Sequence, residues 1–167
     1  GHTSWSISAC NITGNPSPGL STTDNFPSSV TFYEQRLVFA GTNNNPQSIF
    51  FSVAGSYENF ATGTNATDAM IYTIASNQVN AIRFLSAQTQ LLIGTTGGEF
   101  IATSGSNSEP ITPTNIQITR QTNYGAANVD AIQIANVTMF LQRAKRKVRE
   151  IVYNYEVDGY IAPDMTI

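Results

Sequence analysis

The chain of 167 residues holds one cysteine and one histidine, and those two scarcities remove whole classes of function. Cys10 alone cannot close an internal disulfide, so stability must come from packing, from subunit contacts or from both. His2 stands in the opening stretch, which leaves a Ser-His-Asp or Cys-His arrangement without a credible base. One Cys with one His cannot furnish a usual zinc set either. Charge is thin as well: 11% of the residues are charged, against roughly 25% in ordinary soluble domains. Asn, Ser, Thr and Gln carry the polarity instead. No apolar run approaches the roughly 20 residues that cross a bilayer as a helix. The start lacks the basic-then-apolar order of a signal peptide. Gly1-His2 reads as a cloning scar or an internal cut in preference to a natural start, so the chain is expected to be a piece of a longer protein.

What is present favours β-structure. Thr, Val, Ile, Tyr and Phe suit a pleated backbone, whereas the helix formers Lys, Glu and Leu are scarce. Residues 1–25, apart from a short strand expected over Trp5 to Ala9, are rich in Asn, Pro, Ser and Gly and read as an extended strap or linker. From Phe26 onward, short apolar runs alternate with Gly, Asn and Ser clusters, the rhythm of strands and turns.

An internal echo organises this rhythm. Val30 to Tyr33 leads through a turn at Glu34-Gln35 to Leu37 to Thr42, then to Ser48 to Ser52. Ala81 to Leu85 leads through Ala87 to Thr89 to Leu91 to Thr95, then through Gly97-Gly98 to Glu99 to Ala102. The third, more diverged copy runs Ala131 to Ile134, Val137 to Leu141 and Arg149 to Tyr153. The offset is 94 − 41 = 53 between Gly41 and Gly94, and 132 − 82 = 50 between Ile82 and Ile132. Fourth strands are expected at Met70 to Ile74 and Ile116 to Thr119, while the third copy ends near where its own would begin. The spacing predicts an all-β fold, a partial β-propeller of about three antiparallel four-stranded blades over about 26–76, 77–126 and 127–167. A single twisted sheet cannot bury both its faces, so each blade must cover the next. The alternative is a two-sheet β-sandwich of similar hairpins.

Reactive chemistry is hard to assemble from these residues. Asp24, Glu34, Glu58, Asp68, Glu99, Glu109 and Asp130 are scattered singly, mostly at expected turns, where solvated acids are the ordinary finding, whereas glycoside hydrolysis needs two carboxyl groups facing each other. Thr95 to Glu99 is glycine-rich, but no Lys and no helix follow it to cradle a phosphate. A hairpin turn, with glycine supplying positive φ, accounts for it. Phe32, Tyr33, Phe50, Phe51, Tyr57 and Phe60 could line a sugar site, although blades that bury both faces use such residues for packing. No catalytic residue, metal ligand, cofactor or small-molecule substrate is assigned, and the chain is not expected to be an enzyme.

Charge distribution supplies the one local anomaly. Net charge is −3, yet Arg143, Lys145, Arg146, Lys147 and Arg149 provide five of the eight basic residues, leaving three against eleven acidic ones elsewhere. Flanked by apolar runs, this stretch is expected to form an exposed hairpin tip with about five positive charges. Three roles stay open for it: a solvated tip, contact with an acidic neighbouring subunit, or contact with nucleic-acid phosphates. No aromatic residue interleaves it, so base stacking is not indicated.

Longer segments carry a resemblance. They are Phe26 to Thr42, Asn45 to Ile49, Gly55 to Phe60, Ala75 to Ile82, Leu92 to Glu99, Pro113 to Asn115, Tyr124-Gly125, Phe140 to Arg143 and Asp158 to Asp164. Over nearly all of the chain from residue 26, these resemble the tail structural proteins of short-tailed bacteriophages of the tail tubular protein B, or nozzle, type. The resemblance implies a β-propeller, a hexameric tube, partnership with other tail proteins and a place in the virion at the channel through which the genome leaves. Its motifs are turns and strands and name no active site. Family members are several times longer, so further blades and the platform regions are missing here. The runner-up function is a module that binds a receptor or glycan at a phage or bacterial surface.

Overall fold

The computed structural model describes Leu20 and residues 25–75, 80–105, 109–156 and 158–166. Apart from Leu20 and Asn25, the expected strap over residues 1–25 lies outside the described residues, and so does the strand expected over Trp5 to Ala9. Twelve strands form three sheets. The first holds β1 (Pro27–Tyr33), β2 (Arg36–Thr42), β3 (Ser48–Phe51) and β4 (Met70–Thr73). The second holds β5 (Ile82–Ala87), β6 (Leu91–Thr95), β7 (Gly98–Thr103) and β8 (Gln117–Thr122). The third holds β9 (Ile132–Ile134), β10 (Val137–Leu141), β11 (Val148–Asn154) and β12 (Gly159–Ile161). In every sheet the strands lie side by side in chain order, and every pairing is antiparallel. The fold is therefore all-β, with three sheets in place of the two that a sandwich would need. One sheet falls within each of the segments 26–76, 77–126 and 127–167. Among the described residues there is no helix, and so none long and apolar enough to cross a membrane.

Sequence pattern explains which sheet lies in the middle. In β2, burial alternates, with Arg36, Val38, Ala40 and Thr42 buried and the residues between them partly covered. By contrast β6 is buried at every position, as its unbroken Leu91-Leu92-Ile93 run suits, because a strand covered on both faces needs no polar side. Its two faces serve two cores. Leu91, Ile93, Phe100 and Ala102 pack with Val38, Ala40, Ile49, Phe51 and Met70 of the first sheet. Leu92 and Ile101 pack with Phe140, Ile151 and Ala162 of the third. The sheets thus stack in the order one, two, three. Backbones of the first two come closest where β1 meets β5, and those of the second and third where β8 meets β12.

Ile82 and Phe84 show how a local irregularity serves both cores. Side chains two apart in a strand share a face, yet Ile82 lies in the first core and Phe84 in the second. Between them the pairing shifts, Ile82 lying opposite Thr95 and Phe84 opposite Gly94. This β-bulge inserts one residue and turns the strand over.

Two expectations need correcting. The third copy does have its fourth strand, β12, which pairs Ile161 with Val152 and Tyr160 with Tyr153. Being three residues long, it is too short to show an alternation. Gly97 and Gly98 do form a hairpin turn, but neither has positive φ. Space is what demands glycine: a Cβ at Gly97 would stand 2.0 Å from Asn80 Oδ1, and one at Gly98 would stand 2.5 Å from the Thr122 carbonyl oxygen. The positive φ angles of a primed turn lie instead at Glu34 (45°) and Gln35 (60°), which join β1 to β2.

Candidate interaction surface

The basic stretch lies in the β10–β11 hairpin. Leu141 and Val148 form its last strand pair. Beyond them the Gln142 N–H donates to the Lys147 carbonyl at 2.9 Å, and the Lys145 N–H donates to the Gln142 carbonyl at 2.7 Å. Lys145 sits at φ 57°, which reverses the chain.

The five cations do not share one environment. Arg143, Lys145 and Arg146 are exposed. Lys147 reaches the Asp164 carboxylate at 2.6 Å, and that hydrogen bond, with those from Thr166, holds the Asp164 carboxyl well below the usual carboxylate range. Arg149 corrects the expectation of a five-charge tip, because it is buried within β11. Its Nε donates to Gln142 Oε1 at 3.0 Å and its Nη1 to the Ala162 carbonyl at 2.6 Å. Its guanidinium carbon lies 3.4 Å from the centroid of the Tyr124 ring. Period-2 alternation places Arg149 beside Ile151 on the face turned to the second sheet, whereas Arg143 to Lys147 lie beyond the strands.

Segment 124–127 joins this hairpin to the second sheet. The Ala126 N–H donates to the Thr95 carbonyl at 2.7 Å, the Ala127 N–H to that of Leu141 at 2.9 Å, and the Arg143 N–H to that of Gly125 at 2.8 Å. Below it lies Glu99, fully buried in β7. One carboxylate oxygen, Oε2, accepts from the Thr122 hydroxyl and from the Tyr124 N–H at 3.3 Å. The other, Oε1, has no hydrogen-bond partner among the described residues. Burial pushes the Glu99 carboxyl up from its ordinary value. Hydrogen bonds from Thr122 and Tyr124, and the Arg149 charge, oppose that shift. The sequence pattern puts Glu99 among solvated turn acids, and the structure buries it. The tight glycine turn before it was the only sign of close packing.

Above this buried cluster opens a cleft of about 650 Å³, lined among others by Thr96, Gly97, Arg120, Asn123, Tyr124 and Arg143. Arg120 lies over the Phe100 ring at 5.1 Å, and Arg143 Nη1 donates to the Thr96 carbonyl at 3.3 Å. Guanidinium groups and a side-chain amide around an aromatic ring can bind carbonyl, hydroxyl or phosphate oxygens.

Of the aromatic residues considered for sugar binding, Tyr33, Phe50, Phe51 and Phe60 are buried, while Phe32 and Tyr57 are exposed. Those last two pack edge to face with ring centroids 5.2 Å apart. Arg36, which the sequence did not single out, is a buried anchor. Its Nη1 donates to the carbonyls of Ser52 and Asp68, both at 2.7 Å, and its Nη2 to that of Ala66 at 2.6 Å. The guanidinium thus fixes the loop between β3 and β4 to the root of β2.

Compared with known proteins, the chain matches no protein-family model and no curated protein sequence.

Proposed function

We propose that this chain is a virion structural component of a bacteriophage tail, of the nozzle or tail tubular protein B type. It acts by assembly and not by catalysis. On this reading the three sheets are successive blades of a β-propeller around the genome-ejection channel. Copies associate with one another, as a hexamer if they follow the family, and with other tail proteins. One observation carries the reading: three four-stranded meanders follow one another in the chain and stack face to face in that order, the arrangement that blade repeats require. The resembling segments add support from their positions. Phe26 to Thr42 spans the β1–β2 hairpin, Leu92 to Glu99 the β6–β7 hairpin, and Tyr124-Gly125 the link between sheets. Immunogold labelling of tailed particles of the encoding phage, with an antibody against this chain, tests the assignment. Label confined to one end of the tail is expected, and purified particles free of the chain would overturn it.

Within this reading the exposed cations Arg143, Lys145 and Arg146 make transient contact with passing DNA phosphates. Changing all three to Ser is expected to leave thermal unfolding within about 0.5 kcal/mol of the native chain. Retention on a DNA column at low salt should fall. Unchanged retention would remove DNA from the list of partners.

A second reading, a receptor- or glycan-binding module, rests on the cleft around Tyr124. Its ring and flanking Arg120, Asn123 and Arg143 form the mixed aromatic and polar lining that sugars fit. Retention of the chain on host surface polysaccharide, abolished by Tyr124→Ala, would favour this reading.

A further inference from the structure

The cleft around Tyr124 differs in charge from the chain that builds it. Net charge over the chain is −3, yet the charged side chains lining this cleft, Arg120 and Arg143, are both cationic, and among the described residues no carboxylate lines it. The two arginines come from different sheets, Arg120 from β8 and Arg143 from the hairpin that joins β10 to β11, and both are exposed. Glu99, the acid beneath the cleft, is fully buried and bonded to the Thr122 hydroxyl and the Tyr124 N–H. Its charge is met by that of Arg149, which leaves the two exposed guanidinium groups in excess. Lys145 and Arg146, exposed on the same hairpin, add to the positive field, whereas Lys147 is paired with Asp164.

Glycine backbone lies under both arginines. A Cβ at Gly98 would stand 3.6 Å from Arg120 Nε, and one at Gly125 would stand 3.5 Å from Arg143 Cβ, so each side chain runs over backbone that carries none of its own. Both guanidinium groups are also held in place. Arg120 Nη1 donates to Asn123 Oδ1 at 3.3 Å and its guanidinium lies over the Phe100 ring, while Arg143 Nη1 donates to the Thr96 carbonyl at 3.3 Å. Bonds of this length to neutral oxygens are weak, and an anionic oxygen would bind the same groups about twice as strongly. Tyr124 adds a flat apolar surface. Arg149 lies against its ring, 3.4 Å from the centroid, which fixes the ring, and the residue is still 43% exposed.

We propose that this cleft binds a sugar unit that bears a carboxylate, with the sugar ring against Tyr124 and the carboxylate on the guanidinium groups of Arg120 and Arg143. The inference deepens the glycan reading above, on which it rests, by naming the class of sugar. Planar guanidinium forks match the two oxygens of a carboxylate, the Asn123 amide can hold a hydroxyl, and a concave lining of one ring and a few polar groups suits a small ligand. A neutral sugar would leave the excess charge unused. Nucleic acid shares the anionic chemistry but not the shape. Single strands are held by successive aromatic rings along a charged groove, whereas Tyr124 is the one aromatic residue lining this cleft among the described residues. Contact with duplex phosphates needs no ring and no cleft, and exposed cations such as Lys145 and Arg146 suffice for it.

Calorimetric titration of the full chain with trigalacturonate, and with a hyaluronan tetrasaccharide as a second carboxylated probe, tests the proposal. The reference is the methyl ester of trigalacturonate, which keeps the shape and loses the charge. Both carboxylated probes are expected to bind at least about tenfold more tightly than the ester. Arg120→Gln and Arg143→Gln should each lower that preference by about the same factor, with circular dichroism unchanged. Arg143→Lys, which keeps the charge without the fork, should restore only part of it. Equal affinity for acid and ester overturns the proposal and leaves the glycan reading standing with a neutral sugar. Failure of both carboxylated probes to bind also overturns it, whereas the glycan reading itself fails only if the chain is not retained on host polysaccharide. A thymidine oligonucleotide of equal charge that displaces trigalacturonate with the same affinity would reassign the cleft to nucleic acid. Should Arg120→Gln fail to fold through its lost contact with Phe100, the two Arg143 variants carry the test with the same outcomes.

Discussion

Gly41 and Gly94 occupy echoing places in the sequence and both are crowded, a Cβ at Gly41 standing 2.8 Å from the Ile82 carbonyl oxygen, but only Gly41 also needs an unusual backbone conformation. Gly41 has φ 68°, a conformation most side chains avoid. Gly94 has ordinary φ, yet a Cβ there would lie 2.0 Å from Cε1 of Phe84, whose ring also packs against Phe140 at 5.7 Å. Gly94→Ala is therefore expected to destabilise the chain by about 1–3 kcal/mol through overpacking, measured by urea unfolding. Glu99 gives a prediction about pH. A buried carboxyl whose folded pKa lies above its unfolded one keeps its proton longer in the native state. Its contribution is complete below the ordinary carboxylate range and is lost as pH rises through the folded value. Urea midpoints of Glu99→Gln relative to the native chain should rise as pH climbs from that range toward neutrality. A difference independent of pH would show that Glu99 does not titrate differently on folding.

Two buried arginines brace loop and hairpin backbone in this molecule. Arg36 satisfies several carbonyl groups of the β3–β4 loop from within a buried site, although burial lowers its own pKa and Glu34 and Asp68 only partly offset this. Arg36→Met would leave those carbonyls unpaired at a cost of about 3 kcal/mol. The variant should lose that much in urea unfolding and become open to limited proteolysis between residues 53 and 68. Arg36→Lys, with a point charge in place of a planar fork, should recover only part of the loss. Arg149 plays the corresponding part between β11, Gln142 and the Ala162 carbonyl. One basic stretch thus holds both an internal brace and an exposed tip.

Across the whole molecule, sheet order follows from which strands are apolar on both sides. Leu91-Leu92-Ile93 and Phe100-Ile101-Ala102 lack a polar face, and the sheet containing them is the one enclosed by the other two. The terminal sheets pair a covered face with an exposed apolar fringe on β1 and β9. Contiguous exposed apolar side chains of this kind mark candidate interaction surfaces.

By itself, the order of residues determined the all-β character, the hairpins and the fifty-residue recurrence, because strand propensity, alternation and turn chemistry act over a few neighbours. It also placed the fourth strands beginning near Met70 and Gln117, where alternating runs are long enough to read. Tertiary structure alone decided that Glu99 and the two arginines, Arg36 and Arg149, go inside, that Gly97 and Gly98 answer to crowding, and that the bulge between Ile82 and Phe84 divides one strand between two cores. A charged or glycine residue has the same local pattern whether solvent or another sheet lies beyond it. The difference is made by groups distant in sequence: strand pairing within one sheet brings Asn80 to Gly97 and Ala162 to Arg149, and the packing of one sheet on another brings Tyr124 to Arg149.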